Sequence, residues 1–143
     1  MSKQKLHTAE EYAQQVMLGE VLVCEYVRLA VERYYHDLDV ALDRGWYFDR
    51  KAGARAINFI QKLKHTKGVW AGQRFKLEPW QQFIIWNIFG WMNADGTRRF
   101  RYAYIEISRK NGKTMLSAST GLLMLFADGE SRPEVYSAAT VKD

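Results

Sequence analysis

The sequence predicts an α/β chain in which a helical N-terminal region, residues 1–75, precedes the start of a parallel sheet in residues 76–143. Three observations lead there. Apolar residues recur at three- and four-residue steps through the first half, the period of amphipathic helices. The run "FRYAYIEIS" is aromatic and β-branched, and apolar on both faces of a pleat, as a central strand would be. A polar turn then separates it from "KTMLSASTGLLMLFADG", a second apolar segment with helical composition.

Thr8 with Glu11 reads as a capping box opening a first short helix through about Leu18. A long helix is expected from about Val21 to Leu42, on a stripe of Val23, Val27, Ala30, Val31, Tyr34, Leu38 and Leu42. Arg44-Gly45 stops it. A third helix covers Ala52 to Lys64, with Ile57, Ile60 and Leu63 facing inward, and "HTKGVWAGQRF" connects it onward. Glu78-Pro79 opens a fourth, since proline lacks an N–H that the first turn does not use. "PWQQFIIWNIFGWM" is apolar nearly all round and should be buried. "NADGTRR" turns the chain. From Phe100 the order is strand, polar turn, a helix ending at Gly129, and a second short strand in "PEVYSAAT", which makes one βαβ unit. Parallel strands joined by a helix belong to larger, doubly covered sheets, so a sheet with two of them is expected to be incomplete.

The chain of 143 residues is 48% hydrophobic and 14% aromatic, enough for one packed domain. Its single cysteine, Cys24, excludes an internal disulfide and a cysteine-based metal cluster. The N-terminus has no apolar core of a secretory signal, and "FIIWNIFGWM" is too short to span a bilayer. A cytoplasmic protein without membrane contact is the expectation. His7, His36 and His65 are scattered without metal-ligand spacing and read as surface residues. The net charge of +5 permits a polyanionic partner. Positive charge gathers at Arg98, Arg99, Arg101, Arg109, Lys110 and Lys113, opposed only by Glu106, and again at Lys62, Lys64 and Lys67. Each cluster reads either as a docking face or as a solvated one.

The polar turn "SRKNGKT" carries the chemistry. A phosphate cradle needs backbone N–H groups converging at a helix N-terminus and a glycine where the backbone passes close to the phosphate. It also needs a lysine for the β- and γ-phosphate oxygens and a hydroxyl for Mg²⁺. Gly112, Lys113 and Thr114 supply these in order, at a strand-to-helix junction. The first glycine of G-x-x-x-x-G-K-[ST] would fall on Ile107, so the strict pattern fails. A nucleotide-phosphate site and a plain basic turn both stand at this point. Arg109, inside the loop, either offsets charge developing on a γ-phosphate or is solvated or paired with a carboxylate.

With these residues in view, the sequence resembles the large terminase subunits of tailed bacteriophages, motor ATPases that package viral DNA. Their phosphate loop commonly lacks the first glycine and places an arginine early, as "SRKNGKT" does. The likeness extends to "GQRFKLEPWQQFIIWNIFGW" and "RRFRYAYIEISRKNGKT", to "DGESRPEVYSAAT" beyond the loop, and to the helical segments before them. It implies the start of a P-loop NTPase, with ATP held by the loop residues Ser108, Lys110, Asn111, Gly112, Lys113 and Thr114. Thr114 would bind the Mg²⁺ and Arg109 would act as the catalytic arginine. Gln81 matches the glutamine that the family places near adenine, with Trp80 beside the base. From their own chemistry these two are a helix start with one indole, in which an amide can pair with adenine and an indole can stack. The resemblance further implies double-stranded DNA, the small terminase subunit and the portal protein as partners, and a ring oligomer in the host cytoplasm. The acidic Asp-Glu strand and the nuclease domain of the family have no counterpart in these 143 residues, so little or no ATP hydrolysis is expected of the chain alone. Two other readings are a non-enzymatic basic module that docks DNA or the small subunit, and a small kinase.

Overall fold

The computed structural model describes residues 6–65, 71–129 and 131–138. Helices α1 (Thr8–Met17) and α2 (Glu25–Val40) come first, followed by strand β1 (Trp46–Phe48) and helix α3 (Arg50–Lys62). Helix α4 (Pro79–Gly90), strand β2 (Trp91–Asn93) and helix α5 (Lys113–Phe126) complete the order. The architecture is helical with one small antiparallel sheet, in which Trp46 faces Asn93 and Phe48 faces Trp91.

The helices fall close to the periodicity that predicts them, with shifted ends. His7, and not Thr8, caps α1: its Nδ1 accepts from the Ala9 N–H, while Glu10 accepts from the N–H of His7. Asp49 caps α3 by accepting from the N–H groups of Lys51 and Ala52. At the start of α4, Pro79 occupies the first turn and Gln81 reaches back to the Glu78 N–H at 2.9 Å. Helix α4 is apolar all round because it lies at the centre, packed on α3 and α1. Its Trp86 is fully buried, donates to the Tyr34 hydroxyl at 3.2 Å and carries the His7 ring stacked at 4.6 Å. Close approach is built in at Gly90, where an added Cβ would lie 2.3 Å from Cζ of Phe48.

Two expectations are corrected. Neither "FRYAYIEIS" nor the described part of "PEVYSAAT" forms a strand, because a ladder needs a neighbour and neither finds one among the described residues. Tyr102, Tyr104 and Tyr136 are accordingly 94%, 89% and 85% exposed. The parallel βαβ unit is therefore not formed, and the observed sheet lies elsewhere. It pairs two aromatic segments, the second of them expected as the end of the fourth helix and the start of the turn after it. Phe100 and Ile107 still pack on the core, so "FRYAYIEIS" is anchored at both ends. Between it, α3, α4 and α5 lies a cleft of about 1150 Å³, lined by Ala52, Phe89, Met92, Ile105, Leu116 and Leu123 among others.

The stripe assigned to α2 is also corrected in part. Val31 and Tyr34 are buried as expected, but Leu38 is 40% exposed and Asp37 faces inward in its place. Arg99 is the reason. Its guanidinium pairs with Asp37 at 2.8 Å and lies 3.5 Å from the ring centroid of Trp46. Arg98 pairs with Asp128 at the end of α5 and sits over Phe89. These two arginines belong to the packing, not to a solvated basic face.

Candidate functional site

The turn before α5 begins at Ile107, the position where the strict phosphate-loop pattern has glycine. Ile107 is half-buried against the core, so the chain enters the turn from an apolar anchor. Two residues of the turn then adopt left-handed backbone: Lys110 at φ 68° and Gly112 at φ 76°. Such residues rotate successive N–H groups toward a common concave side. The Asn111 amide donates to the Ser108 hydroxyl and closes the turn across its base.

Gly112 is the N-cap of α5, and its carbonyl accepts the first helical bond, from Leu116 N–H at 2.9 Å. No side chain caps the helix and its first turn holds no acid. The N–H groups of Lys113, Thr114 and Met115 therefore have no intrahelical acceptor, and the positive end of the helix dipole is open. Lys113 and Thr114 begin the helix with exposed side chains, beside exposed Ser108, Arg109, Lys110 and Asn111. Among the described residues, Arg109, Lys110 and Lys113 form no ion pair. An anion at this turn would meet three cations that are not already paired among the described residues.

Gln81 comes to the same place from α4. Its side chain is buried, its carbonyl oxygen is held by the Glu78 N–H, and its amide nitrogen lies 3.2 Å from where a Cβ on Gly112 would stand. The contact links residues far apart in the sequence, and it leaves glycine the fitting residue at 112 for two reasons, backbone and space. Trp80, one residue earlier, is half-buried and packs on the core. Lys113 also lines the large cleft, together with Arg55, Arg98, Arg101 and Asp128, so the cleft adjoins the turn. Among the described residues no three His, Cys, Asp or Glu side chains gather as a metal cluster would. The hydroxyls of the turn are those of Ser108 and Thr114, both exposed.

The sequence reading missed the roles of Arg98 and Arg99. Their only signal was position, immediately after the turn "NADGT", where nearby aromatic side chains offer ring faces. His7 was read as a surface residue and is instead a cap stacked on indole. No helix among the described residues is long and apolar enough to cross a membrane.

Residues 79–143 match the family model described as terminase large subunit, ATPase domain. No curated protein and no solved structure matches the chain.

Proposed function

With residues 79–143 standing as terminase large-subunit ATPase sequence, we propose that the chain supplies the ATP-binding part of a phage motor that drives double-stranded DNA into procapsids. The observation that carries this reading is the uncapped, cationic start of α5, with Gly112 left-handed and in contact range of the buried Gln81. In it, the free N–H groups at Lys113–Met115 and the Lys113 ammonium hold the β- and γ-phosphates. The Thr114 hydroxyl would take Mg²⁺, which supplies neutralisation of the phosphate charge. Arg109, exposed and outside any described ion pair, is free to turn toward the γ-phosphate. The Gln81 amide orients the adenine or the loop beneath it, and Trp80 offers an indole edge beside the base. The small terminase subunit, the portal protein and a ring of copies in the host cytoplasm complete the proposed setting.

The test is equilibrium binding of a fluorescent non-hydrolysable ATP analogue with Mg²⁺. Lys113→Ala should weaken it by roughly ten-fold or more, the scale of one or two charge-assisted hydrogen bonds to phosphate. Thr114→Ala should weaken binding only when Mg²⁺ is present. Analogue binding that is equal in wild type and Lys113→Ala would move the assignment to a basic module without nucleotide chemistry.

A further inference from the structure

We infer that the outward face of α3 is a track for the phosphate backbone of duplex DNA. Between Asp49 and Glu78 the chain holds eight lysines and arginines and no carboxylate. Helix α3 sorts part of that charge into a row. Lys51, Arg55, Asn58 and Lys62 follow one another at four-, three- and four-residue steps, which places them on a single helical face. All are exposed, and the row is roughly 16 Å long at the rise of an α-helix. The opposite face, with Ala56, Ile57 and Ile60, is buried in the core, so the row is fixed in place by packing.

The charges are unspent. Arg50, at the start of the helix, pairs with Glu10, but Lys51, Arg55 and Lys62 form no ion pair among the described residues. The two carboxylates at the margins are already engaged. Asp49 accepts from backbone N–H groups of α3, and Asp128 is paired with Arg98. Beyond the helix, Lys64 and Arg74 face each other across an antiparallel bridge, both exposed, and prolong the positive surface. A groove of about 470 Å³ between α3 and Ala127, lined by Lys51, Arg55, Asn58 and Lys62, runs along the row.

Of the polyanions such a row can meet, its chemistry favours duplex nucleic acid. Among the described residues no large hydrophobic residue is exposed between Tyr47 and Tyr102. A membrane-surface helix needs an apolar face to insert, and a protein interface needs a buried anchor; α3 offers outward neither. A straight row of point charges with an interposed amide suits a rigid array of phosphates, and its length covers about five base-pair steps. The inference rests on the motor reading only for the identity of the polyanion, although Arg55 of the row and Lys113 line the same cleft.

The experiment is fluorescence anisotropy of a labelled duplex of about thirty base pairs with the full chain, without nucleotide, across a series of KCl concentrations. Replacing Lys51, Arg55 and Lys62 together with alanine should weaken binding at least ten-fold near 0.1 M salt. It should also lower the slope of log K against log salt by about 2.7, which is ~0.9 for each of three lost phosphate contacts. Each single replacement should lower it by about 0.9, and the charge-keeping set Lys51→Arg, Arg55→Lys, Lys62→Arg should leave it unchanged. ATP-analogue binding is titrated on the same triple variant and should match wild type, so a failed nucleotide site and a failed DNA track give different results. Wild-type slope in the triple variant overturns the inference. So does tighter binding of wild type to polyglutamate or phosphatidylserine vesicles than to duplex at equal salt.

Discussion

At the scale of single residues, the site turns on Gly112. Its left-handed backbone disfavours any Cβ, and the Gln81 amide nitrogen would stand only 3.2 Å from one, so it would have to give way slightly. Gly112→Ala should therefore destabilise the chain by about 1–2 kcal/mol despite alanine's helix propensity, and should weaken nucleotide-analogue binding. Gly112→Asn should cost less, because asparagine visits left-handed backbone more readily. Thermal melting and analogue titration of the two variants check the order; equal losses would argue that the backbone at 112 is not what the site depends on. The sequence showed the residue types of this turn and their order. It could not show that Ile107, a departure from the strict glycine, works as an anchor, since that depends on core packing. The Gln81 contact with Gly112 was likewise invisible, because it joins two helix starts by tertiary structure alone.

At the scale of elements, helices were legible and strands were not. A helix satisfies its hydrogen bonds within its own segment, so Pro79, Gln81 and the three- and four-residue steps among Gly53, Ala56, Ile57 and Ile60 announce it locally. A strand depends on a partner that local composition does not name. "FRYAYIEIS" has every strand propensity and no ladder, whereas Trp46–Phe48 pairs with Trp91–Asn93 across a long sequence separation. Helix α1 carries a pH dependence of its own. Burial holds the His7 imidazole below its ordinary value of 6.5; Glu10 opposes that shift, Arg50 reinforces it and Glu11 opposes it. The folded chain thus binds this proton less tightly than the unfolded chain. The stability contribution is full above pH 6.5 and declines as the pH falls through the lower folded value. His7→Asn keeps a capping oxygen and removes the titration. Its melting temperature should fall less than that of wild type between pH 7.5 and 5.5, and parallel falls would place the pH dependence elsewhere.

At the scale of the whole molecule, one apolar core joins α1 through α5 while the segment over the cleft stays unpaired. Tyr102 and Tyr104 stand almost fully exposed in a run of strand-forming residues with free backbone donors and acceptors, which is the composition of an aggregation-prone edge. The chain should self-associate with rising concentration, and Tyr104→Lys should suppress this without lowering the melting temperature. Sedimentation at several concentrations checks it; a wild type that remains monomeric throughout would show that the segment is shielded in solution.

The Asp37–Arg99 pair sets a schedule as well as a contact. Arg99 grips a carboxylate from α2 and the ring of Trp46 beside β1, and β1 itself waits for Trp91–Asn93. During synthesis the first three helices can wind as they leave the ribosome, and α1 can meet α2, before this pair exists. The pair itself, and the hold of Arg99 on Trp46, must await the emergence of residue 99 from the exit tunnel, so the link from α2 to the segment after β2 is among the last to be made.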